Sequence, residues 1–97
     1  MVVGVLRIEL FLSEGRNSLK EKRHVVKKLK DRILSRFDVS IAEVAEQDLW
    51  QKSTLGVAFV SGDKNMVESV LQKVISSVES EPAVEIVNVN TEIQHFS

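Results

Sequence analysis

The chain has no cysteine. That excludes a disulfide framework, a thiol nucleophile and a thiolate metal site. It also has no apolar run long enough to span a bilayer. The opening stretch MVVGVLRIELFL carries neither a basic leader nor a small-residue cleavage site. A cytoplasmic location with no membrane partner is therefore expected. No repeat, linker or low-complexity segment interrupts the sequence. The usual catalytic patterns are missing as well. His24 and His95 are far apart, and no His-x-x-x-His pair or carboxylate cluster suggests a metal site. Ser13, Ser18 and Ser53 have no motif context for a nucleophile. Neither an enzyme nor a cofactor is expected.

What remains is a single domain spanning residues 1–97, and 97 residues suffice for one modest core. Its 43% apolar and 28% charged content is that of a globular protein. The formal net charge of −1 hides a strong polarisation. Residues 16–36 hold nine basic and two acidic side chains, a formal +7. The remainder holds four basic and twelve acidic ones, a formal −8.

The basic stretch is SLKEKRHVVKKLKDRILSRF, residues 18–37. Ser18 followed three residues later by Glu21 predicts a capping box, each side chain bonding the other's backbone N–H. At 100° per residue, Leu19, Val26, Leu29, Ile33 and Phe37 form one apolar stripe, with Val25 and Leu34 on its flanks. Lys20, Arg23, Lys27 and Lys30 recur at spacings of 3, 4 and 3. They line one flank beside that stripe. Two readings apply to them: a solvated face whose stems cover apolar surface, or a row of cations meeting an external counter-charge.

Elsewhere the pattern is that of strands and one more helix. Residues 2–12 alternate, with Val2, Leu6, Ile8, Leu10, Leu12 and Gly4 in one row and Val3, Val5, Arg7, Glu9 and Phe11 in the other. Residues 38–46 (DVSIAEVAE) form a β-branched strand whose inward phase the sequence leaves open. A polar connection carrying Trp50 leads to a third strand over residues 53–60. Asp63 caps a second helix, in which Met66, Val67, Val70, Leu71, Val74, Ile75 and Val78 repeat at helical spacing. Pro82 follows its end. A last strand covers residues 83–96, and its apolar phase changes between Ile86 and Val87, which predicts a bulge.

The order βαββαβ predicts an α+β, ferredoxin-like split βαβ fold. Two helices would cover one face of a four-stranded antiparallel sheet, with the first and third strands central. Val3, Val5 and Phe11 would then lie on an open face that monomers rarely expose. Self-association through that face or an edge strand is expected, so a homo-oligomer is a predicted partner state.

The string Ser18-Leu19-Lys20-Glu21-Lys22-Arg23, the segment Ala42-Glu43-Val44, the run Gln47-Asp48-Leu49-Trp50-Gln51 and Gly56 together resemble the YlxP-like family of small bacterial proteins. The resemblance runs over almost the whole chain. It implies a ferredoxin-like fold and no particular activity. It also implies an association with ribosome maturation and translation initiation, near whose genes family members are often encoded.

Two nucleic-acid readings can be tested on residues. The third strand partly matches an RNA-recognition-motif strand through Gly56, Ala58, Phe59 and Val60. Leu55 replaces its base, and Val57 and Gly62 replace the aromatics that would stack on bases. Phe59 is better read as core or dimer filling. The start of the basic helix is the stronger candidate. Free N–H groups and the positive dipole end lie there beside Arg16, Lys20, Lys22 and Arg23, with Lys27 and Lys30 continuing the row. The competing reading is an ordinary solvated cap. Lys22 falls within the apolar arc, where it either snorkels or pairs with Glu43 or Glu46. Glu43 and Glu46 point to opposite strand faces, so with Asp48 they do not make a shared metal or acid–base site. Trp50 either packs under the sheet edge or anchors a partner.

The residues therefore predict a non-catalytic protein that meets structured RNA or the ribosome through Arg16, Lys20, Lys22, Arg23, Lys27 and Lys30. Trp50 and Phe11 are further interaction candidates. The alternative is a homodimeric module that takes a small phosphorylated ligand or an acidic protein surface.

Overall fold

A computed structural model describes residues 1–13 and 18–97. Its elements are β1 (Val2–Leu12), α1 (Leu19–Arg36), β2 (Ser40–Ala45), β3 (Lys52–Ser61), α2 (Lys64–Glu79) and β4 (Val84–His95). The four strands form one antiparallel sheet in the order β2-β3-β1-β4. The fold is thus the ferredoxin-like βαββαβ arrangement, with β1 and β3 central as the sequence predicts.

The alternation in β1 sets the layers. Leu6, Ile8, Leu10 and Leu12 are buried under the helices. They pack with Leu55 and Val57 of β3, Val25, Val26, Leu29 and Ile33 of α1, and Val67, Leu71, Val74 and Val78 of α2. Each helix starts at the expected cap. The Ser18 hydroxyl accepts from the Glu21 N–H at 3.1 Å, and the Asp63 carboxylate accepts from the Asn65 N–H at 2.9 Å. Leu34, expected on the flank of the stripe, is instead 49% exposed. It sits 140° round the helix from Leu29, beyond the reach of the sheet.

The bulge falls where the phase change places it. Glu9 pairs with Asn88 and Leu10 with Ile86, which leaves Val87 unpaired and 66% exposed. β2 is shorter than expected. Glu46 adopts a left-handed conformation with φ of 62°, which ends the strand at Ala45.

Gly4 shows how tightly α2 sits on β1. A Cβ at that position would meet Val67 Cγ1 and lie 2.7 Å from Leu71 Cδ1. Gly4→Val is therefore expected to lose about 1–3 kcal/mol through overpacking, read as a lowered urea midpoint.

Candidate functional site

The nine basic residues of the 16–36 stretch do not share one role. Arg16 lies outside the described residues. Lys22 is the clearest departure from the predicted surface site. It is fully buried, and its ammonium lies 2.9 Å from Glu43 Oε2. It donates to the carbonyls of Glu46 at 2.5 Å and Gln47 at 3.3 Å. Ser53 donates to the same Glu43 oxygen at 2.7 Å. Position 22 points into the sheet, and there the charge meets a carboxylate and two carbonyls rather than solvent. Lys22 therefore belongs to an internal clamp between α1 and the β2–β3 loop, and not to an anion-binding surface.

The α2-facing flank of α1 is also occupied. Glu81 is buried just beyond α2, with Lys28 and Arg32 each 3.4 Å from Glu81 Oε2. Arg32 also donates to the Ser77 carbonyl at 2.9 Å, near the negative C-terminal end of α2.

The opposite flank differs. Lys20, Arg23 and Lys27 are exposed and Lys30 is half-buried. Lys27 pairs with Asp31 at 2.7 Å, one turn along the same helix. Among the described residues, Lys20, Arg23 and Lys30 have no carboxylate partner. Because Lys28 and Arg32 face α2, Arg23 and Lys30 project from the other flank of α1, whereas Lys20, at the helix start, also borders the groove that holds Glu21 and Glu81. The 3-4-3 spacing advances the row by about 15 Å along the helix, at 1.5 Å per residue.

The start of α1 borders an open groove of about 570 Å³ lined by Ser18, Lys20, Glu21, His24, Lys28 and Glu81, among others. Two carboxylates share it with the cations. That mixture suits a phosphorylated small ligand less well than the carboxylate-poor outer row does.

The two aromatic candidates separate. The Lys22 clamp holds the start of the β2–β3 loop, and the Leu12 N–H donates to Gln51 O at 2.7 Å at its other end. Between these ties Leu49 is 50% and Trp50 38% exposed. The indole is therefore not sequestered under the sheet edge. Phe11 is half-buried on the open face, in a cleft shared with Glu46, Lys52 and Val87.

On that open face, Val5 is 40%, Val44 54% and Val60 56% exposed. Gly56 admits Val44 across the sheet, since a Cβ there would lie 2.9 Å from Val44 Cγ1. Beside this apolar half, Arg7 donates to Glu9 at 2.7 Å. That bond and one from Asn88 hold the Glu9 carboxyl below its ordinary pKa. Phe59 packs against the core on the helix side. β3 thus presents no ring on the open face, and the base-stacking mode of an RNA-recognition motif has no platform there.

Glu43 and Glu46 turn to different sides: Glu43 goes inward to Lys22 and Ser53, and Glu46 Oε2 lies 3.5 Å from Thr54 Oγ1. Among the described residues no group of three His, Asp or Glu side chains is placed to hold a metal ion. No described helix is long and apolar enough to cross a membrane.

Comparison with known proteins places the chain in a family, and a solved structure shares its fold. A family model described as "Protein of unknown function (DUF503)" matches residues 3–91. The chain is 36% identical over 91 residues to "Uncharacterized protein YlxP" of Bacillus subtilis (strain 168), covering 94% of this chain and 98% of that one. Among solved structures, a de novo designed protein with ferredoxin fold is similar at a TM-score of 0.50 and 10% identity, over 99% of this chain and 88% of that one. That likeness concerns the fold alone. The chain belongs to the DUF503 family.

Proposed function

We propose that this DUF503 member is a non-catalytic binding protein that meets structured RNA, the ribosome foremost, through the outer flank of α1. One observation carries the reading. Lys22 is paired with Glu43, and Lys28 and Arg32 with Glu81, whereas among the described residues Lys20, Arg23 and Lys30 have no carboxylate within ion-pair distance, and Lys27 beside them pairs only with the exposed Asp31. A rigid row of cations suits a row of phosphates. Phosphate contacts would supply affinity, and the shape of the RNA would supply selectivity. The helix is held to the sheet by Val25, Val26, Leu29 and Ile33, so binding requires no refolding.

Sedimentation of tagged protein with ribosomal subunits tests this. The protein is expected to pellet with subunits at low salt and to be released steeply as salt rises. Association that is absent at low salt, or indifferent to salt, would remove the reading.

A further inference from the structure

The two edges of the sheet are protected unequally. β2 is six residues long and bulged near Val44. β4 is twelve residues long. From Asn88 to Gln94 it contains no proline or lysine, and Glu92 is its one charge. Long uncharged edges of this kind are the ones that recruit another strand.

The backbone pattern says which groups are free. Met1 and Phe96 exchange bonds in both directions, Met1 N to Phe96 O at 2.9 Å and Phe96 N to Met1 O at 2.8 Å. Antiparallel ladders alternate such pairs, so Gln94, Glu92, Asn90 and Asn88 also turn their N–H and C=O groups toward β1. Val89, Thr91 and Ile93 then turn theirs outward, and among the described residues nothing bonds to them.

From this we infer that the β4 edge pairs antiparallel with β4 of a second copy of this chain, about a twofold axis at Thr91. Thr91 then faces Thr91 of the other copy, and Val89 faces Ile93 in both directions. Between Asn88 and Gln94 the three outward residues of each chain are satisfied in six hydrogen bonds, two for each of these three facing pairs, while His95, which also turns outward, falls opposite Val87 at the end of the ladder. On the open face, Asn90 faces Glu92 and Asn88 faces Gln94, so amides meet a carboxylate and an amide. Moving the axis one residue onward would set Glu92 against Glu92, a like-charge pair. Moving it one residue back would bring in Val87, which the bulge takes out of the ladder. The self-complementarity of this segment selects a second copy as the occupant. A groove of about 210 Å³ between α2 and β4, lined by Leu71, Gln72, Thr91 and Ile93 among others, adjoins the edge and leaves room for the side chains of the incoming strand. The result is a continuous eight-stranded sheet with the two basic flanks at its far ends. The proposed RNA contact and this dimer are therefore separable.

The test is sedimentation velocity of the full chain across roughly 1–100 μM, a range suited to micromolar affinity. Wild type is expected to dimerise. Asn90→Glu places two like-charge pairs across the twofold, so it is expected to weaken dimerisation by roughly 2- to 30-fold. Asn90→Lys, facing Glu92, is expected to tighten it. Thr91→Cys, in a chain otherwise without cysteine, is expected to form a disulfide-linked dimer on mild oxidation, whereas Val5→Cys on the open face is expected not to. Circular dichroism checks that each variant remains folded; Asn90 and Val5 are exposed, so their substitution leaves the core untouched. A monomer throughout the range would overturn the inference. So would a dimer indifferent to the sign of charge at position 90, or one that crosslinks at position 5 rather than 91.

Discussion

Lys22→Met is expected to lower folding stability by roughly 3–5 kcal/mol, the usual consequence of removing one partner from a buried ion pair. The methionine keeps most of the apolar stem but removes the ammonium. Glu43 then keeps only its bond from Ser53, and the carbonyls of Glu46 and Gln47 lose their bonds from Lys22. Glu43→Gln should destabilise less, because Lys22 retains both carbonyls. A double-mutant cycle over the two positions should give a coupling of about 0.5–3 kcal/mol. Trp50, the one tryptophan in the chain, sits on the loop that Lys22 holds. Its fluorescence should therefore report a loosened loop in Lys22→Met before global unfolding. A stability within about 0.5 kcal/mol of wild type, the range of ordinary surface substitutions, would show that the clamp contributes little.

That clamp marks the point at which the sequence stops being legible. The apolar periods of β1, α1 and α2, the two caps and the phase break at Val87 are local signals, and each appears in the fold where it is read, except that Leu34 of α1 and Met66 of α2 lie exposed at the margins of their stripes. The phase of β2 is not local. Glu43 lies on the inner row opposite Leu55 because Lys22 comes down from α1 to neutralise it. From the strand alone, a carboxylate in that row argues for the other phase. A signal was present in combination: Lys22 in an apolar helical arc and Ser53 in the inner row of β3, opposite Leu10. Three polar residues at inward positions on neighbouring elements point to one buried network. Similarly, the spacing of the cations predicts a row but does not say which members are neutralised. That depends on Glu81, which lies far along the chain and meets Lys28 and Arg32 only once α2 packs beside α1.

The larger functional effect is expected from changing Lys20, Arg23, Lys27 and Lys30 together to glutamine. None of the four is among the buried core residues, and among the described residues the one ion pair they make joins Lys27 to the exposed Asp31. The thermal midpoint should therefore stay nearly unchanged, or rise as repulsion within the helix is relieved. Association with RNA should be lost near physiological salt, since each lost phosphate contact removes about one unit of salt slope. Leu29→Ala is the converse control. Leu29 is fully buried, so its truncation should remove roughly 2–5 kcal/mol of stability and leave the charge of the flank intact.

The most direct measurement is the slope of log affinity against log salt for wild type and the four-glutamine variant on the same ribosomal subunits. Wild type should bind at low salt with a steep slope. The variant should bind far more weakly, with a slope shallower by up to about four units. Equal affinities and equal slopes at matched salt would contradict the account and leave the outer flank of α1 as a solvated face, with the open sheet and Trp50 as the remaining contact surfaces.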